Sequence, residues 1–278
     1  MLLTTNDKKP VKRWLFLLTA IFSLLSCSNN NTPNKPSTAV RIITLAPHLA
    51  ELAASAGALD NLVGVVAYSD FPAEVKHIQV IGDAFNLDYE TIVALNPDYL
   101  IAWKGGTPIA TIDKLKSLKL NLIETEIKQL SDIPATIKLI AELTNTKDSA
   151  TKSINLFNEK LSQLKNHSHT TKTLFIQSYS KPLYTVSGKH WISEAAAICG
   201  YQNIFNDLSQ ASTTVSLEAV ITKNPQTILN IANETDEQWQ NWPLLDAVKN
   251  KQILTISPDY FARPSMRILK GISQLCDS

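Results

Sequence analysis

Glu90-Thr91-Ile92-Val93-Ala94-Leu95-Asn96-Pro97-Asp98-Tyr99-Leu100-Ile101-Ala102 and, 128 residues on, Glu218-Ala219-Val220-Ile221-Thr222-Lys223-Asn224-Pro225-Gln226-Thr227-Ile228-Leu229-Asn230 read the same way. Each is a glutamate, a short and mostly apolar helix, Asn-Pro, then an apolar strand. Asn-Pro ends a helix because proline lacks the N–H to continue it and pushes the residue before it out of the helical region. A second correspondence precedes the first: Ala53-Ala54-Ser55-Ala56-Gly57 and Ala195-Ala196-Ala197-Ile198-Cys199-Gly200 both close helices on glycine. Two matches in the same order suggest a duplicated lobe. The alternative is two unrelated α/β units that leave their helices in the same common way.

Working outward, strands are expected at 41–45, 63–67, 99–103 and 120–124, with helices over 49–56, 89–95 and 109–118. The second half repeats the alternation, with strands at 172–177, 227–231 and 253–256 and helices over 192–199, 217–223 and 265–275. Strands alternating with helices imply parallel sheets with helices on their faces. Between the halves, Ile133, Ile137, Ile140, Ala150, Ile154, Phe157, Leu161 and Leu164 recur at spacings of three and four. That is one long helix, or two with a break near Asn145. A single helix of ~30 residues would run ~45 Å as a stiff spine. The expected fold is α/β: two Rossmann-like lobes with parallel sheets, joined by a long backbone helix. The expected divisions are 39–130 for the first lobe, 131–168 for the spine and 169–278 for the second lobe. A crevice at the carboxyl ends of both sheets is where such folds place ligands.

The N-terminus reads as an export signal. Lys8, Lys9, Lys12 and Arg13 precede an apolar run from Trp14 to Leu25, shorter than the ~20 residues that span a bilayer. The run ends in Leu24-Leu25-Ser26-Cys27, which resembles a bacterial lipobox, so 1–27 is expected to be a lipoprotein signal with Cys27 lipidated. A plain signal peptide with an incidental cysteine is the alternative. Residues 28–38 are rich in Ser, Asn, Thr and Pro and suit a flexible tether. Cys199 and Cys276 then remain. In an exported protein they can close a loop of roughly 78 residues as a disulfide worth ~2–4 kcal/mol, or stay as two separate buried thiols.

Composition excludes several classes. Of 278 residues, 44% are hydrophobic and 18% charged, with formal net charge +1, which is ordinary for a globular chain and offers no basic field for nucleic acid. Only 8 residues are glycine, and no phosphate loop or nucleophile elbow is present. His167-Ser168-His169 sits in a polar connection, and His48 follows Pro47 at a strand end. Neither has the companions a zinc or manganese site needs, so no metal site is expected.

Aromatic residues carry the positive signal. Tyr68, Phe85, Trp103, Tyr184, Trp191, Tyr260 and Phe261 fall where strands give way to loops. There they can serve as flat faces for a large ligand, although Trp191 and Phe261 also suit the core. Asp259 and Arg263 flank the last pair and can bond polar ligand edges. Glu90 and Glu218 occupy equivalent places in the two repeats. Each is either a charge that suits a helix N-terminus or one half of a symmetric pair presented to a two-fold partner.

From about residue 40 to the end the chain resembles the periplasmic cobalamin-binding proteins of ABC importers. These belong to a helical-backbone class of binding proteins that also serves iron siderophores and haem. The resemblance rests on Arg41-Ile-Ile-Thr-Leu-Ala-Pro47, Tyr68-Ser-Asp-Phe-Pro72, Ile92-Val-Ala-Leu-Asn-Pro-Asp98, Ile101-Ala-Trp-Lys-Gly-Gly106, Cys199-Gly200 with Asn203-Ile-Phe205, and Asp259-Tyr-Phe-Ala-Arg263. It implies a non-enzymatic receptor that binds cobalamin as cargo rather than as a cofactor and delivers it to a dimeric permease with ATPase subunits. It implies that Tyr68, Phe85, Trp103, Tyr184, Asp259, Tyr260 and Arg263 wall the ligand, that Glu90 and Glu218 dock on permease arginines, and that Cys199 pairs with Cys276. A monomer held at the outer face of a membrane by its lipid is expected. The chain departs from the family where it carries Phe85 and Tyr260 in place of tryptophans, and a polar Ser212-Thr213 where another is usual. Ferric siderophore or haem is the rival ligand, disfavoured because only Arg263 and Arg267 are at hand for an anion. A chelatase-like enzyme with His48 as acid/base and a lipid-anchored scaffold are rivals of other classes.

Overall fold

A computed structural model describes residues 39–166, 170–232 and 237–278. The signal, Cys27, the tether and the His167–His169 pair lie outside the described residues.

In the first lobe the order is β1 (Ile42–Thr44), α1 (Pro47–Ser55), β2 (Leu62–Val65), α2 (Tyr89–Ala94), β3 (Tyr99–Trp103), α3 (Ile109–Ser117) and β4 (Leu122–Thr125). The strands pair in parallel in the order β2-β1-β3-β4. Then come α4 (Asp132–Thr144) and α5 (Lys147–Lys165). The second lobe contains β5 (Lys172–Gln177), β6 (Tyr179–Ser180), β7 (Leu183–Val186), α6 (Trp191–Ile198), β8 (Tyr201–Asn203), β9 (Ser212–Thr214), α7 (Leu217–Lys223), β10 (Thr227–Asn230), α8 (Asp246–Lys249), β11 (Ile253–Thr255), α9 (Pro258–Phe261) and α10 (Ile268–Cys276). Its main sheet is parallel in the order β11-β10-β5-β8, and β6-β7-β9 form a small antiparallel sheet beside it.

The repeated stretches fold as equivalents. Asp88 caps α2 by accepting from the Thr91 N–H, and Ser216 caps α7 by accepting from the Ala219 N–H. Asn96 and Asn224 both take the left-handed conformation, at φ 43° and 42°, a region asparagine tolerates better than most side chains.

Of the two sequence readings of the connecting segment, the structure realises the broken one. Asn145, at φ 59°, is the left-handed cap that ends α4, and α5 follows as a separate helix of 19 residues, about 28 Å long. α4 packs on α1 and on α5, while α5 also touches α10 of the second lobe. The long helix is therefore α5 alone, not a strut of thirty residues.

The core is also partly shared. One buried cluster joins Ile42, Leu49 and Leu52 of the first lobe to Ile133, Ile137 and Phe157 of α4 and α5, and to Ile176, Ile192 and Ile272 of the second. Each lobe has a core of its own only on its outer face, around Ile43, Ile92 and Leu100 in one and Phe175, Ile228 and Trp239 in the other. Cys199 and Cys276 form a disulfide that ties α10 to the end of α6.

Candidate functional site

The chain leaving the carboxyl ends of two parallel strands of the first lobe carries Tyr68 and Trp103. Tyr68 follows β2, fully 80% exposed and at φ 66°. An exposed ring and a left-handed backbone are both unfavourable, the latter by roughly 1–3 kcal/mol, a combination met at functional sites. Trp103 ends β3 half-buried. Gly106 makes room for it, since a Cβ there would overlap the indole. The Trp103 ring stands edge-on to His48 at 5.0 Å and to Trp191 at 6.4 Å, so that the first lobe meets the second through two indoles. Trp191 and Phe261 are buried, and the Trp191 indole N–H donates to the Phe261 carbonyl at 3.0 Å. These two are core, while Tyr260 is partly exposed beside them.

Tyr184 lies on β7, 38% exposed. Phe85 is 80% exposed on a turn where the Asp83 carboxylate accepts from the Phe85 and Asn86 N–H groups at 2.8 Å each. Nothing in the geometry joins Phe85 to the other rings.

His48 is buried, and burial foremost, then the nearby positive charge of Arg263, lowers its pKa to about 3. It is a neutral imidazole behind Trp103, which corrects its candidacy as an acid/base group in an open cleft. Among the described residues no cluster of three His, Cys, Asp or Glu side chains could hold a metal.

Near buried His48 lies a charge cluster that crosses between lobes. Glu51 of α1 is only 3% exposed. It accepts from the Arg267 Nη2 at 2.5 Å and Nε at 3.0 Å, from the Ser265 hydroxyl at 2.5 Å, and from Arg263 at 3.4 Å. Arg263 also donates to Asp70 at 2.5 Å, and Asp259 lies 3.4 Å from Arg263 and 3.5 Å from Arg267. Burial pushes the Asp70 carboxyl up, but the guanidinium bonded to it outweighs that, so it titrates below the usual carboxylate range. Arg263 is therefore not a free cation awaiting a ligand: two guanidiniums face three carboxylates.

Glu51 escaped the sequence reading because it sits between Leu49 and Leu52 on a helix whose far side is ordinarily solvated. The signal was the Arg263/Arg267 pair four residues apart, which needs acid nearby. Glu90 and Glu218 stand apart from the cluster, exposed in the first turns of α2 and α7. The Glu218 N–H and then the Ser216 hydroxyl hold the Glu218 carboxyl below its usual range.

A sequence model of periplasmic binding proteins matches residues 42–260. The chain belongs to the periplasmic binding protein family. As a member it captures a solute rather than turning one over. The chain is 33% identical over 249 residues to a vitamin B12-binding protein of Vibrio cholerae, spanning 87% of this chain and 90% of that one. It is 31% identical to another from Pectobacterium atrosepticum, over 85% and 87% of the two chains. The solved periplasmic vitamin B12 binding protein BtuF of Vibrio cholerae superposes with a TM-score of 0.79 at 33% identity, covering 86% of this chain and 96% of that one. The periplasmic haem-binding protein HutB of Vibrio cholerae, 18% identical with a TM-score of 0.73 over 86% and 98%, shares the fold. Within this binding-protein family the two-lobed α/β architecture is the common frame.

Proposed function

We propose that this periplasmic binding protein captures cobalamin or a related corrinoid and delivers it to the permease of an ABC importer. Tyr68, Phe85, Trp103, Tyr184 and Tyr260 offer faces to the macrocycle and its lower base, and Asp259 and Arg263 meet the amide rim. The division into lobes 39–130 and 169–278 about the segment 131–168 belongs to the same reading. So do lipidation of Cys27, a monomeric state, and docking of Glu90 and Glu218 on the two halves of a permease that works with ATPase subunits.

The observation that carries the ligand class is the charge balance of the Glu51–Arg263–Arg267 cluster, which this reading makes the floor of the ligand site. Haem propionates and anionic ferric siderophores need uncompensated cations. Here Arg263 and Arg267 are already met by Glu51, Asp70 and Asp259, and bringing in a further anion would set like charges together. An amide-rimmed corrinoid has no such conflict, since amide N–H groups can donate to Asp70 and Asp259 while amide carbonyls accept from guanidinium edges.

Titrating the purified chain with cyanocobalamin, haem and a ferric siderophore in parallel, followed by tryptophan fluorescence, tests this. Saturable binding of cyanocobalamin at micromolar or lower concentration, well below that needed for the other two, is expected. Tighter binding of haem or siderophore would reverse the assignment.

A further inference from the structure

We infer that Tyr179, with Tyr184, forms a two-ring wall of the ligand site on the second lobe; this rests on the corrinoid reading above. In β7, Leu183 packs on the second lobe's outer core and the Thr185 hydroxyl turns back to the Ile176 carbonyl at 2.7 Å. Side chains alternate along a strand, so Tyr184 and Val186 share the opposite face. Val186 on that face is buried in the cluster that also holds Trp191 and against which Trp103 and Tyr260 pack. Tyr184 continues the same face outward, beyond the edge of the cluster.

β6 pairs antiparallel with β7, and Tyr179 is the residue directly opposite Tyr184. Residues opposite one another in an antiparallel pair project to the same side, their Cβ atoms about 5 Å apart. Tyr179 therefore stands beside Tyr184 on the face that runs down to the two indoles, 49% exposed. The hairpin is fastened to the sheet: the Ser178 N–H donates to the Tyr184 carbonyl at 3.0 Å, and the Gln177 amide donates to the Ser180 hydroxyl at 2.8 Å. Gln177 is itself fully buried and accepts from the Trp239 indole N–H at 2.8 Å. A fastened hairpin that leaves two adjacent phenol rings partly uncovered presents a preformed face to a planar group.

Tyr179→Ala, Tyr179→Phe and Tyr179→Leu are compared with the wild-type chain by titration with cyanocobalamin and with dicyanocobinamide, which lacks the lower base. Tyr179→Ala and Tyr179→Leu are expected to weaken cyanocobalamin binding about five- to tenfold, with Tyr179→Phe close to wild type and all thermal midpoints unchanged. A matching loss with dicyanocobinamide would set the ring against the macrocycle, and a loss confined to cyanocobalamin would set it against the base; either supports the wall. Binding by Tyr179→Ala and Tyr179→Leu within about twofold of a wild type that does bind would overturn the role of Tyr179 while leaving the corrinoid reading standing. A wild type that binds neither compound would overturn both.

Discussion

In the first lobe the strands run β2-β1-β3-β4; in the second the equivalent order is β8-β5-β10-β11, with α2 and α7 capped alike and left through the same Asn-Pro turn. The rims do not match. The first lobe offers loop ends carrying Tyr68 and Trp103, whereas the second adds an antiparallel sheet, β6-β7-β9, and the Asp259–Arg267 segment. What repeats is the scaffold and one exposed glutamate per lobe; what does not repeat carries the residues proposed to line the ligand site. A ligand without two-fold symmetry is best met by unlike walls, and a two-fold partner by like ones. On this view the molecule divides its work by symmetry rather than by lobe.

The largest effect should come from breaking the repeated part. Glu90→Ala combined with Glu218→Ala is expected to leave cyanocobalamin affinity unchanged and to abolish transporter-dependent uptake in reconstituted vesicles. Uptake that survives would remove the two-fold partner from the comparison. Next is the cross-lobe floor. Glu51→Ala leaves Arg267 and Arg263 without their buried acid, and removing one partner of a buried pair typically costs about 3–5 kcal/mol. Chemical denaturation should register that loss, with Glu51→Gln less affected because its amide oxygen still accepts. The disulfide comes third: Cys276→Ser is expected to lower stability by about 2–4 kcal/mol while the chain still binds ligand, because the bridge joins α6 to α10 within the second lobe.

How much of this could be read beforehand follows the same division. The repeated elements were legible. The boundaries 99–103, 172–177 and 217–223 fall where the apolar runs and their stops put them, since a buried parallel strand or a capped helix writes its own period into the chain. The hairpin strands β6 and β9 were not, because two or three residues cannot display a period of two, and Ser212–Thr214 is polar enough to read as loop. The rings at the rim were visible as aromatic residues after strands, yet their depth was not: Trp191 and Phe261 are core while Tyr68 and Phe85 stand out in solvent. The floor was hidden for a different reason. Glu51 and its arginines lie more than 210 positions apart, and nothing local in either segment requires the other.

The smallest expected effect separates the buried half of that floor from its open half. Asp70 is 46% exposed, against 3% for Glu51, so its pair with Arg263 is solvent-screened and should contribute only about 0.2–1 kcal/mol. Its carboxyl titrates below the ordinary carboxylate range in the folded chain. Above the unfolded value near 4 the Asp70 contribution is fully present, and it is lost as pH falls through the depressed folded value. Asp70→Asn should therefore lower stability slightly at neutral pH and not at all in strong acid, so that the two stability curves converge as pH falls. Denaturant midpoints of wild type and variant, measured from pH 7 downward, give the test. Curves that stay parallel would mean that Asp70 and Arg263 do not pair in solution, and the cross-lobe floor would then rest on Glu51 alone.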